Sequence, residues 1–426
     1  MRYIFGTIMA FILATAATLQ AADMEAYNYP FVNQLESTVM GTPSAYRADV
    51  PEEVPVRELT LKVFEDREVP RVFWYSEPLA FSVAAQKQEA PLIFMIAGTG
   101  ASYKSPKMIA MRNAFHQAGF HVISISSPTH MNFIINASTT SVPGRIREDA
   151  ADIYRVMEMA YQMVTPRVTA TEFYLTGYSL GGSQSAFVAK LDETRQAFNF
   201  KKVLLINPSV SLYNSVQILD RMLDDTVGRK SDEFNSYLGR VIRAFVTAYD
   251  RSEPLDFNED FLFRIFRRRI PTPDQVESLI GFSFRISSSN MIFTSDVMSQ
   301  FGLMVPPDVV LRQRDPLAGY FRMVLQHSFM DYFDQFFYPY FNARDPALTR
   351  DQLIEEMGLK SIEPYLQASE KIAMTTNDDD IILAPGEVDW LRDVFGSRAK
   401  IWPTGGHCGN MEHEDFVAYM VDYFKQ

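Results

Sequence analysis

The amino-acid sequence predicts an α/β fold built on a doubly wound, mostly parallel sheet, with a helical insertion between two late strands. Three observations carry this reading. From residue 57 to residue 208, short apolar runs alternate with segments of helical spacing. Across residues 209–366 the alternation stops and the text is helical throughout. It then resumes and continues to the C-terminus.

The elements follow in order. "RELTLKVF" (57–64) and "PRVFWYS" (70–76) read as strands from their β-branched and aromatic content. "APLIFMIAGTG" (90–100) is a continuous apolar run closing on glycines, as expected of a buried parallel strand leaving its sheet. A helix over 107–119 ends at a glycine, and "FHVISISSP" (120–128) is the next strand. A helix over 147–164 has an acidic first turn. The strand "EFYLTG" (172–177), a helix over 182–191 and the strand "KKVLLINP" (201–208) complete the first part. After the insertion come strand-like "KIAMTTNDDDIIL" (371–383), a helix over 386–396, "AKIWPTGGHCGN" (399–410) and a closing helix over 413–426. Five segments are expected: a leader (1–22), an irregular N-terminal stretch on the surface (23–56), a first core part (57–208), a helical cap (209–366) and a second core part (367–426).

Composition narrows the function. The chain has 426 residues, 47% hydrophobic and 22% charged, with a formal net charge of −12. That supports a sizeable core and argues against a nucleic-acid partner, which needs a basic footprint. The first 22 residues read as a secretory signal cut near Ala21 or Ala22, which implies a periplasmic or secreted protein. An uncleaved N-terminal anchor is the rival, because the apolar run reaches the lower limit for spanning, roughly 17 residues. No permanent membrane span is expected after cleavage. The single cysteine, Cys408, precludes an internal disulfide. No metal-ligand spacing and no dinucleotide fingerprint stands out, so no cofactor is expected.

The chemistry-bearing motif is Gly177-Tyr178-Ser179-Leu180-Gly181, a G-x-S-x-G pattern between a strand and a helix. Such an elbow exposes the serine hydroxyl at the sheet edge, and Gly177 and Gly181 are small because the turn is tight. The helix start adds a partial positive charge and free amides, Leu180 first among them. A serine nucleophile needs a base. Of six histidines, only His407 lies in a Gly-rich loop after a late strand. His413 reads as a helix cap, His116 and His121 as structural, and His130 and His327 as candidate binding residues. The carboxylate that orients the base comes from Asp378, Asp379 and Asp380. The pattern D-x-hydrophobic-hydrophobic favours Asp379, with its two neighbours as alternatives.

The order Ser179, Asp379, His407, with an elbow and alternating βα units, resembles the α/β-hydrolase superfamily of serine esterases and lipases. The likeness covers residues 57–208 and 368–426. It implies a second oxyanion donor after an early strand, here the Thr99 amide in Ala97-Gly98-Thr99-Gly100, where Ala97 replaces the histidine often found. It also implies that residues 209–366 form a cap.

Within that cap, eight of the thirteen residues of "FMDYFDQFFYPYF" (329–341) are aromatic. They read as cap core, with Phe333 and Phe337 as candidate contacts to an apolar acyl group. Arg264, Arg267, Arg268 and Arg269 read as a solvated face. The resulting expectation is an exported serine hydrolase of carboxylic esters, with lipid-like acyl esters among the candidate substrates. An amidase or exopeptidase of the same fold is the alternative, and a non-catalytic binding protein on this scaffold is a third reading.

Overall fold

A computed structural model describes residues 27–76, 78–228, 232–239 and 272–426. The leader-like residues 1–22 and the four arginines at 264–269 lie outside these described residues. Eight strands form one sheet in the order β1-β2-β4-β3-β5-β6-β7-β8. They are β1 (Arg57–Leu61), β2 (Leu79–Ala84), β3 (Ala90–Ile96), β4 (His121–Ile125), β5 (Ala170–Tyr178), β6 (Lys202–Ile206), β7 (Ile372–Asn377) and β8 (Ala399–Trp402). β2 runs antiparallel to both its neighbours, and every other pairing is parallel. This is the α/β-hydrolase fold that the motif order implied.

β4 and β7 are buried along their whole length, as a parallel sheet covered on both faces requires. Alternate residues of β3 serve different cores. Leu92, Phe94 and Ile96 pack with helices Ile146–Val164 and Leu180–Arg195, whereas Ile93 and Met95 pack with helices Pro106–Gln117 and Glu414–Lys425. The register pairs Ile96 with Gly177, Tyr178 with Ile206, and Asn377 with Trp402. The parallel strands therefore finish side by side, and the loops that leave them meet at one edge.

Two sequence expectations are corrected here. "PRVFWYS" is not a strand: Arg71–Phe73 is a short 3₁₀ turn, with Val72 and Phe73 buried and Trp74 and Tyr75 exposed. Pro70 has no N–H for a ladder and sets up a turn instead. The strand is the adjacent "LAFSVA", whose Ala and Ser weaken its β signal. The N-terminal stretch is also less irregular than expected. It holds the helix Gln34–Met40, buries Tyr27, Tyr29 and Val39, and packs against the C-terminal loops.

Between β6 and β7 the described chain is helical. Helices Leu212–Val227 and Pro273–Ser299 cross at Gly281, where an added Cβ would lie 2.6 Å from the Leu223 nitrogen. One turn on, Arg285 donates to Asp220 and Asp224, each at 3.2 Å, in a buried cluster. Asp220 also accepts the amides of Phe329 and Met330, which ties the next helix, Phe329–Tyr332, to this crossing. No helix among the described residues is long and apolar enough to cross a membrane.

The aromatic run continues from that helix through a π-helical turn, Phe333–Phe337, into helix Tyr338–Arg344. Phe333, Phe336 and Phe337 are fully buried. Phe333 packs edge-on against Tyr213, and Phe336 stacks on Phe301. The Phe337 ring lies 3.0 Å from where a Cβ on Gly144 would sit, so it fixes the insertion to the core. Phe337→Ala is predicted to cost about 3–5 kcal/mol of unfolding free energy, as for other buried aromatic truncations. Urea denaturation checks this, and a loss below about 1 kcal/mol would remove Phe337 from the joint between insertion and core.

Candidate active site

The elbow is built from close backbone contacts. A Cβ on Gly177 would lie 2.4 Å from the Gly181 carbonyl oxygen, and one on Gly181 would lie 2.3 Å from that of Ile96. No side chain fits at either position. The chain turns within a single residue, so Ser179 takes φ 55°, ψ −126°, a conformation uncommon outside glycine. Its amide donates to the Ile206 carbonyl at 2.8 Å, which anchors the turn to β6.

Ser179 Oγ lies 2.9 Å from His407 Nε2. On the other side of the ring, Nδ1 lies 2.9 Å from Asp380 Oδ1 and 3.1 Å from Oδ2. A carboxylate accepts, so Nδ1–H is the donor and Nε2 is left to accept the serine proton. Asp380 is buried and also accepts from Asn207 Nδ2 (2.9 Å), the Ile382 amide (3.2 Å) and Thr376 Oγ1 (3.3 Å). Burial alone lowers the pKa of His407, but the Asp380 charge, the neighbouring Cys408 and the hydrogen bonds to both together outweigh it and raise the pKa well above the usual histidine range.

Asp380, not Asp379, is therefore the carboxylate on the ring. The Asp378 amide still pairs with the Trp402 carbonyl, so strand pairing runs one residue past β7. A turn then closes from the Asp380 amide to the Asn377 carbonyl and brings Asp380 back over the strand end. Asp379 Oδ1 instead accepts the Gly406 amide at 2.9 Å, and burial pushes its pKa up to about 6. Asp378 is exposed and pairs with Arg392.

Leu180 opens its helix, so its amide has no carbonyl one turn earlier. Thr99 follows Gly98, where a Cβ would lie 2.7 Å from the Tyr178 ring and 3.2 Å from Ser179 Cβ. Both amides donate to no protein acceptor among the described residues, and both residues border a cavity of about 90 Å³ at Ser179. One wall of that cavity is apolar: Leu212, Val216 and Leu219 from one insertion helix, Ile280 and Phe284 from the other. Ile381 and Ile382 close it beside His407.

The structure does not bring Phe333, Phe337 or His130 to this cavity. The two phenylalanines are insertion core, as described above. His130 caps the helix Met131–Asn136, its Nδ1 accepting the Asn132 amide at 3.3 Å. His413 caps helix Glu414–Lys425. Sequence reasoning placed Asp380 behind Asp379 and missed Asn207 and Thr38. Asn207 has a legible signal, an asparagine directly after a buried strand, where its φ of 43° suits that residue type. Thr38 has none.

No protein-family model matches the chain, and no curated protein matches it by sequence. Among solved structures it is similar to esterase B from Lactobacillus rhamnosis, at 13% identity and TM-score 0.40, covering 98% of this chain and 93% of that one. It is likewise similar to a hyperthermophilic esterase from the archaeon Pyrobaculum calidifontis, at 14% identity and TM-score 0.40, covering 88% and 84%. A thioesterase domain from the curacin biosynthetic pathway matches at 10% identity and TM-score 0.39, covering 87% and 100%.

The ring geometry generates a titration prediction. In an NMR titration, His407 is expected to lose its proton at a midpoint above the ordinary histidine value of about 6.5. Asp380→Asn should bring the midpoint down, and Asp379→Asn should move it less. The reverse ranking would return the ring to Asp379.

Proposed function

We propose that this α/β-hydrolase-fold protein is a serine hydrolase that cleaves carboxylic esters through an acyl-enzyme. The observation that carries the reading is the hydrogen-bond chain Ser179–His407–Asp380, with 2.9 Å at each link, at an elbow that leaves two amides free beside the serine. Ser179 Oγ attacks the ester carbonyl while His407 Nε2 takes its proton. Asp380 holds the imidazolium and its tautomer. The amides of Leu180 and Thr99 receive the oxyanion, and they need no rearrangement to do so. His407 then protonates the leaving alcohol. Water, deprotonated by the same nitrogen, releases the acid. The leader pattern at residues 1–22 supports export to the periplasm or beyond.

The apolar wall favours a short acyl chain over an extended lipid tail. Ile280, Phe284, Ile381 and Ile382 bound the cavity within a small volume. The acyl group therefore gains up to about 0.8 kcal/mol per buried methylene until the space is filled.

This chemistry generates three predictions. On an activated ester, Ser179→Ala, His407→Ala and Asp380→Asn should each lower kcat by roughly 10⁴-fold or more, because the three groups act as one unit. Near-normal turnover by any of the folded variants removes the assignment. In wild type, kcat/KM should rise with pH through the deprotonation of His407, with its midpoint above the usual histidine range. Across esters of increasing acyl length, kcat/KM should climb over the first few carbons and then fall. Phe284→Ala should move the optimum to longer chains. A flat profile unchanged by Phe284→Ala would exclude this wall as the acyl site.

A further inference from the structure

The loop that carries His407 has little structure of its own. Gly405, Gly406 and Cys408 have φ of 151°, 55° and 61°, and one internal backbone bond, Gly409 amide to Gly405 carbonyl, spans it. Its shape is imposed from outside, largely by residues 27–48, which form no strand of the sheet. Tyr27 Oη accepts from Asn410 Nδ2 at 2.8 Å. Asn28 Oδ1 lies 2.8 Å from His413 Nε2. Thr42 Oγ1 donates to the Gly409 carbonyl at 3.0 Å, and the Ala48 amide to the Glu412 carbonyl at 3.0 Å.

The contact nearest the chemistry is Thr38. Its hydroxyl donates to the Gln34 carbonyl at 2.7 Å, which orients the oxygen, and that oxygen accepts the His407 amide at 2.9 Å. The approach is close enough to demand glycine beside it. A Cβ on Gly406 would lie 2.2 Å from the Gln34 carbonyl oxygen and 2.4 Å from Thr38 Oγ1, and one on Gly409 would lie 2.1 Å from the Ser37 carbonyl oxygen. The helix Gln34–Met40 is itself fixed by Asn33, whose side chain accepts the Leu35 and Glu36 amides. Thr38 also borders the cavity at Ser179.

We infer that Thr38 is a positioning residue for His407, and that the N-terminal segment is a working part of the active site. The ring must meet Ser179 and Asp380 at once, and a displacement of about 1 Å at such a point costs on the order of 100-fold in rate. Asp380 holds the ring, but the ring's distance from Ser179 also depends on where the backbone of residue 407 sits. Asp379 grips that backbone through the Gly406 amide, and Thr38 grips it through the His407 amide. The kinetic part of this inference rests on the proposed hydrolase reading.

The test compares Thr38→Val, which keeps the shape and removes the hydroxyl, with Thr38→Ser, which restores it. Thr38→Val should lower kcat by roughly 10- to 100-fold with KM within about two-fold. It should also weaken the low-field proton resonance of His407 Nδ1–H, and Thr38→Ser should recover both. In wild type the His407 amide should exchange slowly with solvent. Wild-type kcat and resonance in folded Thr38→Val, equal losses in both variants, or rapid exchange of the wild-type amide would each overturn the inference. The resonance and the exchange rate need no turnover, so they judge Thr38 even if no ester is cleaved.

Discussion

The structure depends on how closely the β5 elbow approaches β3. The backbone of Gly181 passes so near the carbonyls of Ile96 and Ala97 that a methyl group cannot stand between them, and the same holds from Gly177 toward Gly181. This contact forces a one-residue reversal between strand and helix. The reversal drives Ser179 into its strained conformation and aims the hydroxyl away from the sheet. It also sets the helix start under the serine and draws the Gly98–Thr99 backbone alongside. The exposed serine hydroxyl and the two free amides thus come from one packing constraint, and the fold supplies the strain energy.

Around the elbow, polar residues at strand ends do the orienting. The last three residues of β7 are polar yet buried. Thr375 accepts from the Trp402 indole, Thr376 donates to Asp380, and Asn377 donates to the Gly406 carbonyl. Two consecutive carboxylates then take different tasks. Asp380, surrounded by donors, faces the ring, whereas Asp379 accepts a backbone amide and has one buried oxygen with no partner among the described residues. Their environments, not their identities, separate them. The insertion contributes in another way. Its Phe337 and Tyr340 fix it to the core at Gly144 and Thr140, which leaves the apolar faces of two other helices to form the cavity wall.

How much of this is legible in the sequence depends on the range of the force involved. The alternating strands and helices are written in local periodicity, and the central buried strands stand out as apolar runs. The meeting of Ser179 with His407 is foreshadowed by glycines, since tight turns need residues without side chains. Asp379 and Asp380 are separable only by a turn whose hydrogen bond, from the Asp380 amide to the Asn377 carbonyl, spans two residues, and pattern matching does not resolve that shift. β2 is hidden because its sequence is small and weakly β-forming, while the aromatic "PRVFWYS" beside it is diverted by Pro70. Phe333 and Phe337 have the composition of a ligand pocket but the burial of a core, and only packing distinguishes the two. Thr38 lies 369 residues from the amide it holds, and nothing near it in the chain announces that contact.

The central claim is that the elbow at Ser179 activates a single nucleophile. Treatment of the folded protein with a small fluorophosphonate, followed by intact-mass measurement and peptide mapping, tests it most directly. The account predicts one adduct per chain, on Ser179, absent from Ser179→Ala and formed much more slowly in His407→Ala. An unlabelled folded protein, or an adduct on any other residue, would contradict it.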